Sequence, residues 1–138
     1  MKCQPVAKAP TDRESYIERH LANIRMWGSP AHYDEARLRA MAAAAFDRCF
    51  LPAGQARQSM AIASGDSRTA ALREVRVPTL VLHGSEDKLI DPSGGRRTAE
   101  AIPGAHFVLL EGMGHDYPPA YWDQIVHLVT EHARTAGT

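Results

Sequence analysis

"VPTLVLHGSEDKLIDP", residues 77–92, holds most of what the sequence says about its fold. The run 77–83 is apolar and rich in β-branched residues, and Gly84 ends it. A run apolar on both faces suits a strand buried inside a parallel sheet. Asp91 and Pro92 then read as the N-cap and first residue of a helix over "DPSGGRRTAEAI", 91–102. "AHFVLLEG", 105–112, repeats the strand pattern and again ends on glycine. "PPAYWDQIVHLVTEHA", 118–133, reads as an amphipathic helix with Trp122, Ile125, Val126, Val129 and Ala133 on one side. Strand, helix, strand and helix in this order, with short connections, predict a βαβα unit with two parallel strands and a right-handed crossover.

The residues before this unit are helical in character. Thr11 and Glu14 fit a capping box, and Ile17, Leu21 and Ile24 follow at helical spacing until Gly28 and Pro30. A second helix is expected from about Asp34 to Phe50, with Leu38, Met41, Ala42, Ala45, Phe46 and Cys49 on one face. Pro52 and Gly54 should break it, and a third, short helix should cover Gln55 to about Ser64.

Composition narrows the function. The 138 residues suffice for one domain with a sizeable core. Lys+Arg and Asp+Glu both number 16, so neither nucleic acid nor an anionic membrane is an expected partner. No apolar run reaches membrane-spanning length, and "MKCQPVAKAP" has no secretory h-region. Cys3 and Cys49 are far apart and read as free thiols of a reducing compartment, so the expected location is cytoplasmic.

Chemistry is expected just beyond the carboxyl ends of the parallel strands. Gly84 is followed by Ser85, Glu86 and Asp87; Gly112 is followed by Met113, Gly114 and His115. An aspartate in a turn is common, and a lone loop histidine is usually just solvated. Asp87 and His115 at matching ends of neighbouring strands are a different matter, because a carboxylate beside an imidazole fixes its tautomer and makes it a positioned base. Gly112 and Gly114 would let the chain turn sharply there. Leu89 and Met113 are candidate pocket residues, although core packing explains them equally well. His83, Asp87, His115 and Asp116 could in principle gather round a metal, but no metal-ligand spacing such as H-x-x-x-H accompanies them, and no metal or cofactor is expected.

"VPTLVLHGSEDKLIDP" followed by "AIPGAHFVLLEGMGHDYP" closely resembles the C-terminal part of α/β-hydrolase fold enzymes, nearest to small esterases such as the aclacinomycin methylesterases. The resemblance implies that Asp87, ending P-T-L-V-x-H-G-x-x-D, is the triad acid and that His115, ending G-x-G-H 28 positions on, is the triad histidine. It makes His83 a structural support. It also implies that 11–72 is a helical cap segment after an N-terminal tail, 1–10, and that 73–138 is the last βαβα of the hydrolase core. The fold class is then α/β: the C-terminal portion of a hydrolase sheet preceded by cap helices.

Three elements of the family pattern are missing: the nucleophile elbow, the H-G-G-type oxyanion segment and the family's earlier strands. The family's nucleophile is a serine on a G-x-S-x-G elbow. None of the serines at 15, 29, 59, 64, 67, 85 and 93 has glycine two residues before and two after. The resemblance therefore implies a carboxylic ester hydrolase acting on a small-molecule ester, with Asp87 and His115 present and the nucleophile absent. The alternative is a catalytically silent remnant or an assembly subunit. Two apolar strands with few neighbours also predict self-association, or pairing with a missing N-terminal half.

Overall fold

The computed structural model describes residues 9–136. The chain divides into two compact units. One comprises the chain up to Ala22 together with Asp34–Gly65; the other comprises Asn23–Tyr33 and everything from Asp66 onward.

The first unit is helical. It holds most of α1 (Arg13–Trp27), with α2 (Glu35–Arg48) and α3 (Pro52–Ala63). Ile17 and Leu21 of α1 and Leu38 and Ala42 of α2 form its buried core. Tyr16, Phe46 and Phe50 stack beside them, with ring centroids 4.5–5.9 Å apart. Met41 and Cys49, expected on the buried face of α2, are exposed.

Two further details differ from the sequence reading. Thr11 does not cap α1. The Asp12 carboxylate accepts from Ser15 N at 2.9 Å, and an anionic acceptor at a helix N-terminus outcompetes a neutral hydroxyl. Glu14 pairs instead with Arg39 at 2.8 Å. α2 ends before Pro52, as expected, but Pro52 itself opens α3, where its missing N–H leaves no bond unmade, and Gly54 lies inside that helix. α2 begins within one residue of the expected start, with Asp34 as its N-cap, accepting from Arg37 N.

The second unit contains α4 (Thr69–Leu72), β1 (Leu80–Gly84), α5 (Pro92–Ala101), β2 (His106–Leu110) and α6 (Trp122–Ala136). The short helix α4 was not legible in the sequence. The two strands pair in parallel, with Leu80 opposite His106 and Gly84 opposite Leu110. β1 starts later than expected, and Val77 is exposed. Asp91 caps α5 by accepting from Ser93 N, with Pro92 as its first residue. α5 packs on both strands, and its Ala99 is buried. Leu110, the last residue of β2, and Met113, in the loop beyond it, are buried.

The strands are less covered than apolar runs of this kind predict. Leu80, Val81 and Leu82 are only half-buried, as are Phe107, Val108 and Leu109. α6 has the amphipathic pattern, yet none of its residues is buried, and Trp122, Val126 and Val129 are exposed. None of the described helices is long and apolar enough to cross a membrane.

Candidate active site

The loops after β1 and β2 are tied to each other by their backbones. Ser85 N donates to Leu110 O at 3.0 Å, and Glu86 N donates to Met113 O at 2.9 Å. The Ser85 hydroxyl accepts from Gly112 N at 2.8 Å. Gly112 has a φ of 75°, the left-handed conformation that glycine adopts without strain. Gly114 does not have a positive φ; its constraint is contact. A Cβ there would lie 2.5 Å from Gly28 O and 2.6 Å from Ser29 N.

This lacing brings Asp87 and His115 together. His115 Nδ1 lies 2.7 Å from Asp87 Oδ2. The other carboxylate oxygen, Oδ1, accepts from Leu89 N and Ile90 N, both at 2.9 Å. The Asp87 side chain is 6% exposed and the His115 side chain 42%. Burial opposes the Asp87 charge and is the largest single influence on it. The hydrogen bonds from Ile90 N, His115 and Leu89 N together outweigh burial and hold the carboxyl below the ordinary carboxylate range. An ionised Asp87 only accepts, so neutral His115 carries its proton on Nδ1 and keeps a lone pair on Nε2.

His83 approaches the same carboxylate oxygen. Its Nε2 is 2.9 Å from Ile90 O and 3.4 Å from Asp87 Oδ2. A carbonyl cannot donate, so the Nε2 proton belongs to His83, and it points at the turn that holds Asp87.

A pocket of about 140 Å³ opens beside the pair, lined by His83, Asp87, Met113, His115, Asp116 and Tyr117 among others. Met113 is 4% exposed and serves both core and pocket wall. Leu89 is 45% exposed and lies off this wall; its backbone N–H, not its side chain, serves the site. Among the described residues, no group of three His, Cys, Asp or Glu is placed to hold a metal ion.

Two further residues reach the site. Asp116, next to His115, accepts from both N and Oγ of Ser29, at 2.9 and 2.6 Å. Ser29 lies 87 positions away and is 2% exposed. Its sequence signal was slight: a Gly-Ser-Pro stop at the end of a helix, and an aspartate directly after the histidine.

Residues 33–118 match the family model Hydrolase_4, serine aminopeptidase S33, a family of α/β hydrolases. The chain belongs to this family. Its mixed α/β structure, with a small parallel sheet, is a partial α/β-hydrolase fold. Rhodomycin D methylesterase DnrP of Streptomyces peucetius is 32% identical over 135 residues, which are 93% of this chain and 43% of the relative. Rhodomycin D methylesterase DauP of Streptomyces sp. (strain C5) is 34% identical over 70 residues, 51% of this chain and 24% of that protein. The chain thus spans less than half the length of these curated relatives.

Proposed function

We propose that this hydrolase chain supplies the acid and histidine of a carboxylic ester hydrolase whose substrate is a small-molecule methyl ester. The observation that carries the reading is the 2.7 Å contact between Asp87 and His115, with a half-exposed imidazole beside a pocket. The relatives' names, both rhodomycin D methylesterases, support the substrate class.

In this mechanism a serine hydroxyl attacks the ester carbonyl while His115 Nε2 takes its proton. Asp87 holds the Nδ1 proton and stabilises the imidazolium. The tetrahedral intermediate collapses, His115 passes the proton to the leaving alkoxide, and methanol departs. Water then attacks the acyl-enzyme while His115 takes its proton, the acyl–serine bond breaks as His115 returns that proton to the serine oxygen, and the carboxylic acid product leaves. No serine of this chain has the flanking glycines of an elbow, so we assign the nucleophile to polypeptide outside these 138 residues. No metal or cofactor takes part in this scheme. A cytoplasmic setting goes with the exposed thiol of Cys49.

A chimera tests the reading: this chain fused to the part of DnrP that it does not match. Methyl ester hydrolysis that His115→Ala lowers by several orders of magnitude is expected. A labelled, folded chimera whose turnover ignores His115→Ala would refute it. A folded one that neither takes up a fluorophosphonate on serine nor hydrolyses ester would favour the silent-subunit reading.

A further inference from the structure

The Asp87–His115 contact joins two loops that are anchored separately. Asp87 is fixed from its own side by the N–H groups of Leu89 and Ile90. His115 has no such local turn, and its backbone is held from the segment 27–29. Trp27 O accepts from His115 N at 2.6 Å. The Ser29 hydroxyl accepts from Gly114 N at 2.9 Å and donates to Asp116 Oδ1 at 2.6 Å. Three consecutive residues, 114, 115 and 116, are therefore each bonded to Trp27 or Ser29. One hydroxyl bridges the residues on either side of the histidine.

We infer that Ser29, acting with Asp116, is the positioning residue for His115, setting the backbone from which the imidazole reaches Asp87. The assignment rests on the proposed role of the Asp87–His115 pair. Ser29 is buried, so water does not compete for its bonds, and removing the hydroxyl leaves Gly114 N and one Asp116 contact without their partner. Its geometry is that of a brace. Its Oγ donates to the Asp116 carboxylate on one side and accepts an amide on the other, and neither bond goes to Asp87 or to the His115 imidazole. Asp116 completes the brace, because its Oδ1 accepts from Ser29 N as well and so fixes the hydroxyl's direction. The 2.7 Å contact at the other end has little tolerance: a displacement of about 1 Å takes it out of hydrogen-bond range.

The test reads the imidazole directly in the full chain, by ring ¹⁵N shifts and the low-field Nδ1–H proton of His115 at pH 8, assigned by its loss in His115→Gln. The wild type should show one dominant Nδ1–H tautomer. Ser29→Ala and Asp116→Ala should lose the low-field proton and bring the two ring nitrogens toward averaged shifts, while the Leu82 and Leu110 amide signals report that the sheet persists. A merely structural serine would leave the His115 signals as in the wild type in a folded Ser29→Ala protein, and that result overturns the assignment. If Ser29→Ala does not fold, the near-isosteric Ser29→Cys decides: partial loss of the low-field proton supports the brace, and an unchanged signal refutes it. Asp87→Asn is the reference. If it too leaves His115 unchanged, the pair itself is misread, and the brace falls with it; if Asp87→Asn removes the signal and Ser29→Ala does not, only the brace fails.

Discussion

Substituting Gly114 by alanine should damage the second unit far more than adding a methyl group usually does. The new Cβ would sit 2.5 Å from Gly28 O and 2.6 Å from Ser29 N, and against the carbonyl carbon of Gly28. All three are backbone atoms, so no side chain can swing away. Restoring ordinary contact with the nearest of them, the Gly28 carbonyl carbon, requires about 1.2 Å of separation between the two segments, and this carries the Gly114 N–Ser29 Oγ bond from 2.9 Å to about 4.1 Å, beyond hydrogen-bond range. Each buried polar group left without its partner costs about 1–3 kcal/mol, and overpacking by itself costs about as much. The expected loss is roughly 3–5 kcal/mol, a large share of the ~5–15 kcal/mol that holds a domain together.

Gly104→Ala is the matched control. Gly104 has a φ of 74° but nothing within 4 Å of its Cβ position, so only backbone strain of about 1–2 kcal/mol is paid. Urea unfolding followed by tryptophan fluorescence compares the two, because Trp27 and Trp122 both lie in this unit. A Gly114→Ala protein within about 1 kcal/mol of Gly104→Ala would mean that the packing of 114 on 28–29 is not tight, and the steric argument would be wrong.

Asp87, held below its ordinary range, stabilises the folded state when ionised. That contribution is fully present above the unfolded carboxyl value of about 3.9 and disappears as pH falls through the lower folded value. Acid titration should show this loss in the wild type and not in Asp87→Asn, and a parallel pair of titrations would count against it. Leu110→Ala, at a fully buried strand end, should destabilise by about 2–5 kcal/mol, whereas Val126→Ala, 63% exposed on α6, should stay within ~0.5 kcal/mol by the same unfolding assay. The chain by itself should leave a fluorophosphonate probe unreacted and should elute larger than a monomer or bind a hydrophobic dye; a monomeric, dye-silent sample with a sharp thermal transition would remove the self-association argument.

What the sequence disclosed depended on how local the signal was. The start of α5 was legible because Asp91 and Pro92 act within one turn. The parallel pairing was legible because two glycine-ended apolar runs flank one helix of crossover length. Asp87 and His115 followed from those strand ends, since each lies only a few residues past its strand. Competition between neighbours was not legible: Thr11 and Asp12 both fit a cap, and charge decided it. Nor was covering. The pattern of α6 shows an apolar stripe, but periodicity does not say whether anything packs on it, and Trp122, Val126 and Val129 lie open. Ser29 was hidden for a third reason. Its partners at 114 and 116 are distant in the chain, and nothing about an isolated serine announces a buried brace.

The same distinction between local and distant bonds bears on how the Asp87–His115 pair should come apart. The acid half of the pair is held by amides two and three residues away, so Asp87 keeps its orientation as long as its own turn persists. The histidine half is held across 85 to 88 positions of chain, through Gly114 to Ser29 and His115 to Trp27. Long-range anchors of this kind are lost together in any opening that separates segment 23–33 from the strand-end loop, whereas a three-residue turn survives it. Amide exchange should therefore find Gly114 and His115 opening as one unit. Leu89 and Ile90, whose partner lies in their own turn, should exchange on a separate course. In such an opening His115 leaves Asp87, and its Nδ1 loses the carboxylate partner at 2.7 Å.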